Sequence, residues 1–222
     1  MTKYDKLMRK EISKLHYITQ DLPDFSHDFL AEQACKAGVE WVQLRVKNKA
    51  YAEWLSIAKK TKDVCEKYNT KLIINDSVNI AREINAQGVH LGLKDTNPRE
   101  ARKILGDKAI IGGTANTLED IKKLYACEVD YIGLGPFKYT ETKQDLSPVL
   151  GIYGLKNMIT AISYIHLNEN NTIPLIVIGG ITIDDVGLIL NSGAYGIAIS
   201  SAIGMSENKI QRSKDFLKEL AQ

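Results

Sequence analysis

Residues 131–143 read Tyr-Ile-Gly-Leu-Gly-Pro-Phe-Lys-Tyr-Thr-Glu-Thr-Lys, an apolar run ending in Gly133 and Gly135 and followed by Thr140, Thr142 and Lys143. Backbone N–H donors, two hydroxyls and an ammonium lie close together there. That combination suits an anionic, phosphate-bearing ligand better than a packed core. Gln43-Leu44-Arg45-Val46-Lys47 alternates polar with apolar, so in extended backbone Gln43, Arg45 and Lys47 point one way. Arginine grips phosphate through paired hydrogen bonds and lysine adds a point charge. Asn75-Asp76 and Asp95 bring two carboxylates near those cations, a set of oxygen donors that suggests Mg²⁺ with substrate phosphates in its shell. The competing reading makes Asp76 and Asp95 helix caps. Gly179-Gly180 and Ser200-Ser201 resemble a backbone phosphate cradle. His90 reads as a hydrogen-bonded structural histidine rather than a general base, and His16, His27 and His166 show no evident partner.

These residues need elements to bring them together. Short apolar runs begin at Leu15, Val39, Lys71, Gly88, Ala109, Asp130, Pro174 and Gly196, each followed by a helical pattern. Continuous apolar strands imply burial on both faces, hence a parallel sheet. Eight such units predict an α/β fold of the (β/α)8 TIM-barrel type in a single domain, residues 15–222, with a doubly wound open sheet as the alternative. Residues 1–14 read as an N-terminal extension, either a short extra helix covering the barrel bottom or a tail. Helix starts are marked at Ser77, Asn97-Pro98 and Thr117, and helix ends at Gly38 and Gly193. In a barrel the polar residues at strand ends, Thr114 included, converge on one rim, where barrel active sites lie.

Composition narrows the classes. The 222 residues carry a net charge of +2, which gives no case for nucleic acid or a membrane as partner. Cys35, Cys65 and Cys127 are odd in number without metal-ligand spacing, and read as reduced thiols of a cytoplasmic protein. The first residues mix charges of both signs and do not resemble a signal peptide. A homo-oligomer is compatible with the sequence.

Four segments in order, Gln43 to Lys47, Leu72 to Asp76 through Gly88 to Asp95, Asp130 to Lys143 with Gly151, and Ile178 to Thr182 with Ser201 to Ile203, resemble the thiamine phosphate synthase family. The resemblance implies a transferase of thiamine biosynthesis. It would join hydroxymethylpyrimidine diphosphate to hydroxyethylthiazole phosphate with Mg²⁺, releasing pyrophosphate. It places the pyrimidine diphosphate on Gln43, Leu44, Arg45, Val46, Lys47, Asn75, Thr114 and Lys143, the metal on Asp76 and Asp95, and the thiazole phosphate on Thr140, Glu141, Thr142, Gly180, Ser200 and Ser201. Arg45, Lys47 and Lys143 would be the catalytic cations. The chain departs from the family pattern at Val46, usually Glu, Thr114, usually Ser, Asn116, often His, Lys138-Tyr139, usually an aromatic-Pro pair, and Ser200, usually aliphatic. A thiazole tautomerase on the same fold and a phosphate-ligand sensor without catalysis are the rival readings. The first has no need of two metal carboxylates and a diphosphate clamp. Fold alone does not exclude the second.

Overall fold

The computed structural model describes residues 10–140, 148–169 and 172–221. Eight strands, β1 (Leu15–Ile18), β2 (Trp41–Leu44), β3 (Lys71–Asn75), β4 (Gly88–Leu91), β5 (Ile110–Ala115), β6 (Tyr131–Leu134), β7 (Leu175–Ile178) and β8 (Gly196–Ile199), run in chain order round a closed barrel. Each neighbouring pair is parallel, and β1 closes on β8. Helices α1 (His27–Lys36), α2 (Tyr51–Lys67), α3 (Val78–Glu83), α4 (Pro98–Leu105), α5 (Leu118–Ala126), α6 (Gly151–Glu169) and α7 (Val186–Asn191) follow successive strands. The chain after β8 forms α8 (Ser201–Gly204) and α9 (Lys209–Leu220). This is the TIM barrel that the strand pattern predicts.

Alternation along each strand builds two apolar layers. Val42, Leu44, Leu72, Ile74, Val89, Leu91, Ile132 and Val177 belong to the core shared with the helices. Trp41, Ile73, Ile110, Tyr131, Ile176 and Ala198 form a second cluster with Ile12 and Ile18. Burial on both faces is why the strands read as unbroken apolar runs. His16 stacks on Trp41 at 4.1 Å between ring centroids, and Tyr131 meets both rings edge-on. Gly112 makes room for this column, because a Cβ there would lie 2.1 Å from Cζ of Tyr131.

The extra N-terminal helix is not found among the described residues of that segment. Residues 10–14 are non-helical, and the Lys14 carbonyl accepts from Ile197 N–H at 2.8 Å, extending the pairing of β1 with β8. Ile12 is buried and joins the inner cluster. A β-branched side chain leading straight into a strand favours this extended course. Residues 1–9 lie outside the described part. The expected helix signals hold: Ser77, Asn97 and Thr117 cap α3, α4 and α5, while Gly38 and Gly193 take φ of 94° and 98° after α1 and α7. Cys35 and Cys65 are buried free thiols, and Cys127 is half-buried.

Candidate active site

A cavity of about 690 Å³ opens at the C-terminal ends of the strands. Gln43, Arg45 and Lys47 line one side, with Asn75, Asp76, Asp95 and Thr114 beside them. Thr140, Gly180, Ser200 and Ser201 line the other. The side chains predicted from separate segments therefore converge on one rim. Leu44 and Val46 are buried in the layer under the helices and do not line the cavity. Glu141, Thr142 and Lys143 lie outside the described residues.

The capping alternative for the two carboxylates fails. Ser77 caps α3 by accepting from Ile80 N–H, and Asn97 caps α4 by accepting from Arg99 N–H. Asp76 instead sits in the left-handed region at φ 66° and pairs with the Lys47 ammonium. Asp95 accepts from Gly92 N–H at 2.6 Å. Burial raises the Asp95 carboxyl above its ordinary value, and the adjoining Asp76 side chain raises it further. Two abutting carboxylates call for a shared proton or a cation. Among the described residues no cluster of three or more His, Cys, Asp or Glu could hold a metal. The pair fits a hard dication that takes its remaining oxygens from water and substrate.

Arg45 is half-buried; loss of water lowers its pKa, while Asp76 and Asp21 oppose that change. It remains a cation, since guanidinium is not deprotonated in proteins. His90 forms part of the wall, 2.9 Å from the Thr114 hydroxyl through Nε2 and 2.9 Å from the Tyr131 hydroxyl through Nδ1. Both ring nitrogens are thus engaged, which supports its structural reading.

Across the cavity the chain after β6 runs beside the chain after β7. Phe137 N–H donates to the Ile178 carbonyl at 2.8 Å and Lys138 N–H to that of Gly179 at 2.9 Å. Leu150 and Gly151 N–H return to the Pro136 and Phe137 carbonyls, so residues 136–137 also anchor the chain entering α6. Gly180 has φ 63°, and a Cβ there would lie 2.5 Å from the Tyr139 carbonyl oxygen, so both backbone and space require glycine. Ser200, Ser201 and Ala202, at the start of α8, line this side of the cavity. The Ser200 hydroxyl donates to Gln20 Oε1 at 2.9 Å.

Residues 15–203 match the family model described as thiamine monophosphate synthase. The chain belongs to that family. It is 42% identical over 208 residues to the thiamine-phosphate synthase of Flavobacterium psychrophilum, covering 94% of this chain and 99% of that one. It is 39% identical over 211 residues to the Phocaeicola vulgatus thiamine-phosphate synthase, covering 95% and 99%. A solved thiamine phosphate pyrophosphorylase from Pyrococcus furiosus superposes with a TM-score of 0.80 at 27% identity, covering 94% and 95%. The thiamine monophosphate synthases are transferases, and this chain shares both their sequence and their barrel.

The structure gives roles to the departures from the thiamine monophosphate synthase pattern. Val46 packs in the core. Asn116 donates from Nδ2 to the Gly135 carbonyl, tying the end of β5 to that of β6. The Lys138 ammonium donates to both carboxylate oxygens of Asp185, at 2.6 and 2.8 Å. Burial works to raise the Asp185 carboxyl, but Lys138 and Thr182 outweigh it and hold the group below its ordinary value. The sequence reading missed Gln20, Asp185 and the partners of His27. Ser200 and Lys138 are remote in sequence from Gln20 and Asp185, and the local signal at Thr182-Ile-Asp-Asp185 is a capping pattern with nothing to indicate Lys138. Thr19 and Asp21 stand close before His27, but no periodicity there marks them as its partners.

Proposed function

We propose that this cavity joins hydroxymethylpyrimidine diphosphate to hydroxyethylthiazole phosphate, forming thiamine phosphate and pyrophosphate, with Mg²⁺ held by Asp76 and Asp95. The reading rests chiefly on one observation: an acidic pair freed from helix capping stands beside Lys47 and Arg45, within a barrel that matches thiamine monophosphate synthase. In this reading Gln43, Arg45, Lys47, Asn75, Thr114 and Lys143 take the pyrimidine diphosphate. Thr140, Thr142, Gly180, Ser200 and Ser201 take the thiazole phosphate.

The magnesium ion would neutralise charge on the diphosphate oxygens. The chain's own groups do the rest. Arg45 and Lys47 bind the departing pyrophosphate, whose charge grows as its C–O bond to the pyrimidine methylene breaks. The methylene carbon gains positive character and is captured by the ring nitrogen of hydroxyethylthiazole phosphate, a C–N bond replacing the C–O bond to pyrophosphate, so no protein nucleophile is required. The backbone of Gly180 and of the α8 N-terminus fixes the thiazole phosphate on the opposite side, bringing the two reactants together. The apolar walls at Ile18, Ile178, Ile181 and Ala198 limit water that would otherwise trap the electrophilic carbon. The composition and the absence, among the described residues, of a helix long and apolar enough to cross a membrane suit a cytoplasmic setting.

The test is pyrophosphate release by the purified protein given both substrates and Mg²⁺, with each component omitted in turn. Release that requires all three, with thiamine phosphate appearing in equal amount, supports the reading. Turnover that persists in chelator removes the metal, and no thiamine phosphate under any condition removes the reaction.

A further inference from the structure

Strand β2 ends at Leu44, yet Arg45 and Lys47 both line the cavity while Val46 between them is buried in the core, and nothing in the reaction explains how they are held. Their backbone answers this. Thr19 N–H donates to the Gln43 carbonyl at 2.9 Å, the last main-chain rung between the ends of β1 and β2. The next rung of a parallel ladder would run from Arg45 N–H to the Thr19 carbonyl. It is made instead to the Thr19 side chain, Oγ1 accepting at 3.2 Å. Two residues on, Lys47 N–H donates to Asp21 Oδ2 at 3.1 Å. Side chains thus replace the strand partner that β1 no longer supplies.

His27, the first residue of α1, joins the two replacements. Its Nδ1 lies 2.8 Å from Thr19 Oγ1 and its Nε2 lies 3.2 Å from Asp21 Oδ1. Thr19 is fully buried and His27 nearly so. The Asp21 carboxylate can only accept, so Nε2 carries the proton of the neutral imidazole and donates to it. Nδ1 is then an acceptor and takes the Thr19 hydroxyl proton, while the Thr19 oxygen accepts from Arg45. One arrangement of protons satisfies every group: Arg45 N–H to Thr19, Thr19 to His27, His27 to Asp21, and Lys47 N–H to Asp21.

We infer that Thr19, Asp21 and His27 are positioning residues for diphosphate binding, a side-chain splice that keeps the Arg45–Lys47 backbone extended so that both cations face the cavity. The inference rests on the reading that Arg45 and Lys47 hold the pyrimidine diphosphate. None of these bonds reaches the thiazole phosphate side of the cavity, which touches the segment separately through Ser200 and Gln20, so the splice acts chiefly on the diphosphate.

Thr19→Val and Thr19→Ser separate this role from packing. Valine keeps the volume and loses the hydroxyl; serine keeps the hydroxyl and loses a methyl. Thr19→Val is expected to raise KM for the pyrimidine diphosphate about tenfold while kcat and KM for the thiazole phosphate stay within about twofold, and Thr19→Ser is expected to behave as the parent. A packing role predicts the reverse order. The same comparison is made by calorimetric binding of inorganic pyrophosphate with magnesium chloride, which needs no turnover. Should Thr19→Val fail to fold, Asp21→Ala, at a half-exposed side chain, takes its place with the same expected loss of pyrophosphate binding. Equal effects on both substrates, a serine variant as impaired as the valine one, or unchanged pyrophosphate affinity in the variants overturns the splice. A parent protein that binds pyrophosphate without forming thiamine phosphate defeats the reaction proposed above, and the Val-to-Ser ratio of affinities still decides the splice. A parent that does not bind pyrophosphate defeats both.

Discussion

Asp76 combines two properties that a substitution can separate. Its backbone lies at φ 66°, which asparagine tolerates nearly as well as aspartate, whereas its charge pairs with Lys47 and abuts Asp95. Asp76→Asn is expected to leave the melting temperature within a few degrees while kcat falls by about a hundred- to a thousandfold, roughly 3–4 kcal/mol of lost electrostatic stabilisation. Parallel calorimetry and pyrophosphate release check both halves. Asp95→Asn should act differently on stability. The folded carboxyl titrates above its unfolded value, so its favourable contribution is present below that unfolded value and is lost as pH rises through the folded one. At pH 7 the ionised group opposes folding, so the variant is expected to melt higher than the parent in chelator and to lose the stabilisation conferred by Mg²⁺. Melting curves with and without Mg²⁺ decide it. The acids and cations were legible because alternation at 43, 45 and 47 and the strand-end positions of 76 and 95 depend only on local geometry. The caps at Ser77 and Asn97 were legible as helix-start signals, but Asn75-Asp-Ser and Asp95-Thr-Asn each offer three eligible side chains, and only the fold shows that neither aspartate turns back to the helix.

Among the elements, the eight strands lie within about two residues of the runs that announced them, since burial on both faces leaves an unmistakable apolar signature. The end of β2 was the larger miss. The apolar alternation through Arg45 continues, but the ladder stops at Leu44 because Thr19 and Asp21 take the next N–H groups with their side chains. The paired chains after β6 and β7 carry a prediction of their own. Lys138 is half-exposed and Asp185 buried, so Lys138→Met leaves the carboxylate with Thr182 alone. A cost of about 1.5–3 kcal/mol is expected, the usual value of a hydrogen bond to a charged group. KM for the thiazole phosphate should rise several-fold, because the chain after Gly180 loses its side-chain tie at Asp185 and keeps only the main-chain bond from Lys138 to Gly179, and KM for the pyrimidine diphosphate should not. Equal changes in both constants would contradict this division of the rim.

On the scale of the whole molecule, two buried histidines set the acid limit. Burial lowers the pKa of His16 well below 6.5 and, together with Lys49, lowers that of His27, against the opposing pull of Asp21 and Asp28. Both fold as neutral rings. Their contribution is therefore present above the unfolded value near 6.5 and is lost as pH falls through the depressed folded values. The melting temperature is expected to fall steadily below pH 6.5, and His16→Phe, which keeps a ring against Trp41, should flatten that slope. An unchanged slope in the variant would show that other groups govern acid unfolding. The column that contains His16 has a further consequence. Ile12, His16, Trp41 and Tyr131 fill the barrel from its base up to the His90 wall of the cavity, so the described residues leave no passage along the axis. Traffic is one-way in and the same way out. Pyrophosphate and thiamine phosphate must then depart by the entrance that admits the next pair of substrates, so accumulated pyrophosphate would obstruct its own replacement.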